Sequence, residues 1–526
     1  MNNFINSLLI AGGLSVAAAT VHAATPVLQL DSGPIRGIDQ NDMEAYLGIP
    51  YAAPPVGALR WMPPQPPAHW TAVMNATHFG SDCAQNADLG VFARAGGSED
   101  CLYLNIYVSK KAAQRTQKLP VMVWIHGGAL LVGSGRDYNP EKLAIEGKAV
   151  VVTINYRLNL FGIFAIPAID REGHEFANYD LLDQQFALSW VQRNIAAFGG
   201  DPRNITVFGE SSGGCSILEQ MASPGAAGKF QHAIVMSGAA AVLKFPAFGS
   251  VKPLSYAEKV GASFAKTVGC VGGDVAACLR KLTTRQILAG EATFAFRQPV
   301  IDGTVLPMTP SQAFQTGKFN HVSLINGNTQ NEGTFFVGLP ENATGVAMTA
   351  QDYPNQIRSY YIDAALSARV LQEYPLKDYN TPSEAWAAAV TSSLFACPAL
   401  AVDRWLADKI PVYTYEFADR TAPTYLQPTT FPTGAAHTSE LPYIFPGFHG
   451  GAGLPVTLNP LQEKLSDQMV AYWAQGWDAT AREAIWPRYN PAQNDFMTFV
   501  LPSAHMTSGR FSDLHHCAFW DKTGLY

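Results

Sequence analysis

The sequence predicts an α/β fold in which a large, mostly parallel central sheet is flanked by helices. Short apolar or β-branched runs alternate with helix-like stretches along most of the chain. The first hundred residues differ, because they contain only short strands separated by turns. No internal repeat or linker divides the 526 residues. We therefore expect one large domain with N-terminal antiparallel strands and helical insertions.

The early strands are predicted at residues 28–37 and 102–108, and we expect them to form antiparallel pairs on one edge of the sheet. The later strands are short runs rich in Val and Ile, which are typical of buried parallel strands. They are predicted at residues 121–125, 149–155, 205–208, 233–236, 322–325 and 412–417. Residues 181–197 form an amphipathic pattern that predicts a helix ending near Gly199.

The first residues are typical of an export signal. Residues 8–20 are apolar or small, and Val21-His22-Ala23 suits a signal peptidase, so we expect residues 1–23 to be a signal peptide cleaved after Ala23. Because residues 1–7 lack Lys and Arg, an uncleaved anchor is the alternative. No later stretch is long and apolar enough for a membrane span. We therefore expect residues 24–526 to be a single soluble domain, secreted or periplasmic, without a stable membrane anchor.

Charge and cysteine content exclude several classes of protein. The formal net charge is −7 and no run is rich in Lys or Arg, so a nucleic-acid partner is not expected. None of the seven cysteines has the spacing of a zinc site, and we expect no metal. An odd count leaves at least one thiol unpaired. Closeness in sequence favours pairing Cys83 with Cys101 and Cys270 with Cys278.

The motif Gly209-Glu210-Ser211-Ser212-Gly213 makes Ser211 a candidate nucleophile. A serine exposed on a tight turn between a strand and a helix needs neighbours with almost no side chain two positions away. The predicted strand 205–208 and the helix-like run 212–221 supply that context. A glycine-rich turn with an exposed serine is the alternative, since the bare motif is weak.

Backbone N–H groups that could hold an oxyanion are expected near His126-Gly127-Gly128-Ala129, at the end of the strand 121–125. Ser212 would donate another N–H group. Ala129 stands where a third glycine is often found, but a backbone donor does not depend on the side chain. A plain loop is the alternative interpretation of this run.

The acid and the base remain open from spacing alone. Five histidines follow residue 332, and they are His437, His449, His505, His515 and His516. His437 lies in the small-residue run 434–438, which follows the strand 412–417. Glu332 is the only carboxylate of the run 326–333 (NGNTQNEG), which we interpret as a loop. A lone Glu or His is as often structural as catalytic.

Taken in order, several motifs resemble the type-B carboxylesterase family, which includes cholinesterases and bacterial p-nitrobenzyl-ester hydrolases. The resemblance covers about residues 28–520. The motifs are residues 46–52 (YLGIPYA), 54–61 (PPVGALRW), 98–105 (SEDCLYLN), 155–157 (NYR), 182–184 (LDQ), 198–202 (FGGDP) and the Ser211 motif itself.

The resemblance implies the α/β-hydrolase fold and the hydrolysis of carboxylic esters through an acyl-enzyme, without a cofactor. It implies Ser211 as the nucleophile, Glu332 as the acid and His437, in HTSEL, as the base. It also implies backbone oxyanion donors, which are Gly128, Ala129 and Ser212. We expect Glu210 to be a buried carboxylate that supports the site, with a solvated turn residue as the alternative.

The resemblance further implies a third disulfide, Cys397–Cys517, which leaves Cys215 as the free thiol. Cholinesterases carry a tryptophan for the quaternary ammonium inside their first disulfide loop, but residues 84–100 contain none. The small-molecule substrate is therefore expected to be an uncharged ester. The alternatives are a catalytically silent adhesion member of the fold, or a lipase or amidase preference on the same fold.

Overall fold

The computed structural model describes residues 25–40, 42–113, 117–244, 246–247, 249–291, 298–424, 429–474 and 486–526. The predicted signal peptide, residues 1–23, lies outside the described residues. Within them, an 11-stranded sheet forms the centre of the fold. Its strands in chain order are β1 (Ile38–Gln40), β2 (Met43–Pro50), β3 (Tyr103–Ser109), β4 (Leu119–Ile125), β5 (Val150–Ile154), β6 (Gly200–Glu210), β7 (His232–Met236), β8 (Ser323–Thr329), β9 (Val412–Phe417), β10 (Phe496–Phe499) and β11 (His505–Thr507).

The sheet is mostly parallel, as the sequence predicts. Across it the strands follow the order β11-β10-β9-β8-β7-β6-β4-β5-β3-β2-β1. The strands from β4 to β10 run parallel to one another. The strands β1, β2 and β3 add antiparallel pairs at the N-terminal edge, and β11 pairs antiparallel with β10. This arrangement confirms the α/β-hydrolase fold class.

Apolar side chains on both faces of the sheet explain why its strands are continuous hydrophobic runs. On β4, Val121 and Val123 pack into one buried cluster, whereas Met122 and Trp124 pack into another on the opposite face. Successive side chains of a strand point to opposite faces, so a strand covered on both sides has no polar face. All five residues of β5 are buried for the same reason.

Helices cover both faces of the sheet. In chain order they are Lys110–Ala113, Glu141–Ile145, Asn159–Gly162, Pro167–Asp170, Tyr179–Asn194, Ser212–Ala222, Leu254–Thr267, Val275–Arg280, Thr284–Glu291, Pro310–Thr316, Gly333–Thr344, Asp352–Tyr360, Ala364–Glu373, Pro382–Val390, Cys397–Leu406, Leu441–Ile444, Pro460–Ala474, Phe511–Leu514 and Cys517–Trp520.

Two predicted strands differ from the structure. Residues 28–37 form two short strands, Leu28–Gln29 and Pro34–Arg36, which belong to a separate three-stranded sheet with Met74–Asn75 and not to the edge of the central sheet. The strand predicted at residues 322–325 continues to Thr329. The loop expected at residues 326–333 is therefore wrong for residues 326–329. The parallel pairing of this strand with β9 extends over this part and overrides the turn preference of Asn and Gly.

The predicted helix 181–197 is present as Tyr179–Asn194, but the prediction of an amphipathic helix is wrong. Asp180, Asp183 and Gln184 are buried in it together with its apolar residues, because this helix packs against other elements on several sides. Polar side chains on an inner helix need partners. Asp183 has one in the guanidinium of Arg157, at 2.7 Å.

One described stretch, Pro382–Leu406, is long and apolar enough to cross a membrane, so the expectation that no later stretch has these properties is wrong. It is 94% buried inside the protein over its most apolar window, as expected for a core helix. Its centre, Thr391–Ala396, has π-helical hydrogen bonding between two α-helices.

Three disulfides link the described chain. They join Cys83 to Cys101, Cys270 to Cys278 and Cys397 to Cys517, and Cys215 is the free cysteine. The last of them connects positions 120 residues apart and ties the helix that begins at Cys397 to the final helix.

Candidate active site

Ser211 occupies a sharp turn between β6, which ends at Glu210, and the helix Ser212–Ala222. Its backbone angles are φ 56° and ψ −125°, a strained conformation for a residue with a side chain. A Cβ atom on Gly209 or Gly213 would lie 2.5 or 2.1 Å from the carbonyl oxygen of Ile125. The two glycines of the motif are therefore required sterically, and the turn lifts Ser211 above the sheet.

Glu332 and His437 lie in contact although 105 residues separate them. Nδ1 of His437 is 2.5 Å from Oε2 of Glu332. The other carboxylate oxygen, Oε1, accepts hydrogen bonds from the Ser237 hydroxyl at 2.5 Å and from the Thr329 N–H group at 2.7 Å. Both oxygens are occupied, and the carboxylate is fully buried. Glu332 is therefore fixed with one oxygen directed at the imidazole.

Aromatic rings enclose the imidazole of His437. The rings of Phe335, Phe336 and Phe395 have their centroids 5.6, 5.0 and 5.1 Å from it. Phe395 belongs to the π-helical turn Thr391–Ala396, and the Thr391 hydroxyl accepts the N–H group of Gly333 at 2.8 Å. This turn therefore supports both the ring cage and the start of the helix that follows Glu332.

Glu210 lies against the same imidazole, on the side of its Nε2 atom. Its Oε1 is 3.2 Å from Nε2 of His437, and it is 2% exposed, so the alternative of a solvated turn residue is wrong. Burial, aided by the charges of Glu440 and Glu332, raises the pKa of Glu210 well above its usual range. Among the described residues, the Ser211 hydroxyl makes no hydrogen bond to His437, whose Nε2 instead faces Glu210.

The predicted oxyanion donors lie beside the turn. In the described chain, the N–H groups of Gly128 and Ala129 donate to no other group. Both residues have positive φ angles, of 108° and 58°. The Ser212 hydroxyl accepts the N–H group of Leu130 at 3.2 Å and so ties the glycine loop to the helix that follows Ser211. Free donors on a tied loop are suited to a developing negative charge.

His126, at the start of this loop, is a neutral structural residue. Burial lowers its pKa to about 4. Its ring stacks on Tyr156 at 4.5 Å, and the Tyr156 hydroxyl donates to its carbonyl oxygen at 2.6 Å.

A cavity of about 140 Å³, open to solvent, brings the candidate residues together. Ser211, His437, Glu210, Gly128 and Ala129 line it. Most of its remaining wall is apolar, with Leu89, Phe92, Phe335, Phe336, Leu441 and Phe448. Within the described ranges, no group of three or more His, Cys, Asp or Glu side chains is arranged to hold a metal ion. The arrangement suits an uncharged substrate that carries a polar reacting group.

The other histidines considered from the sequence are not among the residues that line this cavity. His515 is buried against Glu416 at 2.6 Å, and His516 contacts Glu373 at 2.7 Å. His505 is exposed, and Nδ1 of His449 contacts the carbonyl oxygen of Gly447.

Sequence reasoning missed Ser237 and the three phenylalanines around His437. Ser237 carries no motif, and its contact with Glu332 spans 95 residues. The Phe335-Phe336 pair, which begins three residues after Glu332, is the one local signal that could have indicated a ring cage.

Another buried carboxylate, Asp180, lies near Glu219 on the helix that follows Ser211. Asp180 is fully buried, and burial raises its pKa to about 8. Burial also raises the pKa of Glu219, on the helix Ser212–Ala222, and the charge of Asp180 adds to this effect. An unfolded Asp titrates near pH ~4. The folded protein therefore retains a proton at neutral pH that the unfolded chain releases.

Asp180→Asn is expected to raise the unfolding temperature by a few degrees at pH 7.5. Because the folded pKa lies above the unfolded one, the wild-type protein loses stability as the pH rises from about 4 towards 8. The gain should shrink when unfolding is measured at pH 5. Asp183→Asn is the matched control and should lower the unfolding temperature, since Asp183 pairs with Arg157. A gain that grows at lower pH would contradict this account.

Comparison with known proteins identifies the family. A model of the carboxylesterase family matches residues 24–520. An acylcarnitine hydrolase of Mus musculus is 32% identical, and the alignment covers 99% of this chain and 96% of that protein. A para-nitrobenzyl esterase of Bacillus subtilis (strain 168) is 33% identical over 90% and 94% of the two chains. A cocaine esterase of Homo sapiens is 32% identical over 95% and 92%.

Solved structures give the same result. The structure of a thermophilic PNB esterase superimposes with a TM-score of 0.78 at 30% identity, covering 93% of this chain and 99% of that one. A second PNB esterase has a TM-score of 0.78 at 29% identity, covering 95% and 99%. Sequence and fold agree over nearly the whole chain, and it belongs to the type-B carboxylesterase family of carboxylic ester hydrolases.

Proposed function

We propose that Ser211, His437 and Glu332 hydrolyse carboxylic esters as nucleophile, general base and orienting acid. The contact between His437 and Glu332 at 2.5 Å carries the proposal, because it lies in the wall of the cavity that contains the Ser211 turn. Nδ1–H of the imidazole donates to Glu332, which leaves Nε2 as the proton acceptor.

In the first half-reaction, the Ser211 hydroxyl oxygen attacks the ester carbonyl carbon while its proton passes to Nε2 of His437. Glu332 stabilises the imidazolium, whose positive charge would otherwise be buried among aromatic rings. Collapse of the tetrahedral intermediate breaks the bond to the alcohol oxygen, which leaves with the proton from His437. The acyl group remains on Ser211.

In the second half-reaction, a water molecule gives a proton to His437 and attacks the acyl carbon. The carboxylic acid is released and the proton returns to Ser211. The N–H groups of Gly128, Ala129 and Ser212 hold the oxyanion in both steps. Removing one such donor typically costs ~10²–10³ in kcat.

The apolar wall of the cavity supports uncharged carboxylic esters as the substrate class. The names of the relatives include acylcarnitine, para-nitrobenzyl and cocaine ester hydrolysis, which differ widely in the alcohol released, and acylcarnitine and cocaine carry a cationic nitrogen. The proposal of an uncharged ester for this protein therefore rests on its own cavity wall and not on the relatives, and we assign the class and not one ester.

We also propose that residues 1–23 are removed on export and that residues 24–526 act as one secreted or periplasmic domain. The family match begins at residue 24, and three disulfides are suited to an oxidising compartment. An exported protein that still carried residues 1–23 would contradict the first part.

Covalent labelling tests the proposed nucleophile. A fluorophosphonate should react with the purified protein in a ratio of about one to one, since an activated serine attacks phosphorus as it attacks a carbonyl carbon. Peptide mass spectrometry is expected to place the adduct on Ser211. Hydrolysis of p-nitrophenyl butyrate should fall in parallel with labelling, and saturating ester should slow the labelling.

Ser211→Ala provides the control, because it should remain unlabelled while Ser212, the next residue, stays in place. An adduct on a different residue, or full ester hydrolysis after complete labelling, would refute the assignment of Ser211.

A further inference from the structure

Two chain segments form a partly exposed side of the cavity wall, which we call the rim. The segment around Gly90–Phe92 contributes the half-buried Leu89 and Phe92, and the segment 448–452 contributes Phe448. The two segments contact each other directly, since the N–H group of Ala452 donates to the carbonyl oxygen of Val91 at 2.8 Å. The rings of Phe92 and Phe448 lie 6.3 Å apart. The apolar rim of the cavity therefore depends on how these segments are held together.

The guanidinium of Arg94 joins this rim to the body of the protein. Its Nη1 donates to the carbonyl oxygen of Gly451 at 2.5 Å, and its Nη2 pairs with Asp137. Its Nε donates to Asp82 at 3.3 Å. Asp82 lies just before the disulfide loop, and Asp137 lines the cavity with a side chain that is 5% exposed. Arg94, two residues after Phe92, thus links its own segment to Gly451 and to a buried carboxylate in the cavity wall.

Arg136 offers an internal comparison. Its guanidinium pairs with the same Asp82 at 2.7 Å, and its side chain is exposed to a similar degree, 34% against 32% for Arg94. Within the described contacts, however, the Arg136 guanidinium reaches neither rim segment. The two arginines therefore share an ion-pair cluster, but only Arg94 touches the rim.

We infer that Arg94 is a positioning residue that fixes the rim segments around Phe92 and Gly451 and so sets the affinity for esters large enough to reach the rim. This rests on the proposed function, because it takes the cavity as the substrate site. A guanidinium can satisfy three acceptors in a fixed plane, whereas the ammonium of a lysine is a single compact charge on a flexible stem. Esters that end inside the cavity do not need the rim.

The cluster also gives the rim a dependence on pH. Burial raises the pKa of Asp137 to about 6. The positive charges of Arg94 and Arg136 oppose this rise, and the negative charge of Asp82 reinforces it. Above about pH 6 Asp137 is a carboxylate and holds Arg94 by a charge-assisted hydrogen bond. Below it, Asp137 gains a proton, and the bond to Arg94 weakens. The rim segments are therefore expected to be fixed less firmly by Arg94 as the pH falls through about 6.

The test compares Arg94→Lys and Arg94→Met with Arg136→Met, using p-nitrophenyl acetate and p-nitrophenyl decanoate at pH 7.5. In both Arg94 variants, KM for the decanoate should rise about five- to tenfold, equivalent to roughly 1 kcal/mol of lost binding. The change in KM for the acetate should stay within twofold. Arg136→Met should keep the wild-type ratio of the two KM values, which separates rim positioning from a general loss of stability.

Asp137→Asn and the wild-type pH profile keep the inference testable if an Arg94 variant fails to fold. The wild-type KM for the decanoate should rise below about pH 6. In Asp137→Asn it should be high and constant from pH 5 to pH 8. An unchanged ratio of KM values in the Arg94 variants, or an equal change in Arg136→Met, would overturn the inference. Wild-type protein that hydrolyses neither ester would instead refute the proposed function.

Discussion

Ser211→Ala is expected to lower kcat for p-nitrophenyl butyrate by ~10⁴-fold or more. The substitution removes the hydroxyl oxygen that we propose forms the acyl-enzyme, and it leaves the strained turn to be held by its glycines and by β6. KM should change little, since the apolar cavity wall is untouched. Steady-state kinetics together with active-site titration measure the effect and exclude contamination by wild-type enzyme.

Ser212→Ala is the matched control, one residue further along. It keeps the backbone N–H group proposed as an oxyanion donor and loses only the hydroxyl that accepts from Leu130. Its kcat should stay within about tenfold of the wild-type value, because the loss of one neutral hydrogen bond costs about 1 kcal/mol. Equal losses in the two variants would show that the turn was damaged and that Ser211 had not been tested as a nucleophile.

Glu332→Gln is expected to lower kcat by ~10⁴-fold, as an amide does in place of the acid of a catalytic triad. Oε1 of Glu332 accepts from Ser237 and Thr329, so the amide nitrogen of a glutamine is driven to the imidazole side. An N–H group there forces Nδ1 to be the acceptor and puts the proton on Nε2. His437 can then no longer take a proton from Ser211. Single-turnover kinetics report the loss in the acylation step.

Glu440→Gln provides the comparison for this substitution. Glu440 is also fully buried near the site, and burial raises its pKa well above the usual range, with the charge of Glu332 adding to the effect. Burial thus already disfavours its charged form, and its amide should reduce kcat by less than tenfold. A Glu332→Gln enzyme as active as Glu440→Gln would exclude Glu332 as the acid.

The strands that the sequence predicts well are those whose local pattern and tertiary environment agree. Residues 149–155 contain a run of Val and Ile that can be buried only in the middle of a sheet, and β5 forms there. The strand β8 shows the opposite case. Its Asn326 and Asn328 favour a turn locally, but pairing with β9 keeps them in the ladder, fully buried. Pairing between strands distant in sequence leaves no trace in a single local window.

The candidate site shows the same difference between features set by local sequence and features set by contacts between distant residues. The Ser211 turn could be predicted because its requirement is local, with two glycines and a strand before a helix. Spacing alone leaves Glu332 and His437 as open candidates, because the two residues meet across 105 residues of chain. Only the family resemblance assigns them the roles of acid and base. The contact of Glu210 with Nε2 and the reach of Arg94 to Gly451 involve side-chain directions that no sequence spacing encodes.

The disulfide between Cys397 and Cys517 divides the three candidate catalytic residues into two groups. His437 belongs to the covalent ring of 120 residues that this bond closes, whereas Ser211 and Glu332 lie outside it. Closing a ring of that size lowers the conformational entropy of the unfolded chain by an amount equivalent to about 5 kcal/mol at 25 °C. In a reducing compartment the protein would lose this contribution, and the segment bearing the base would lose its covalent tether to the last helix. Because this contribution acts on the unfolded chain, reduction would lower the stability of the whole fold, and with it the arrangement that brings His437 to Glu332 and the Ser211 turn.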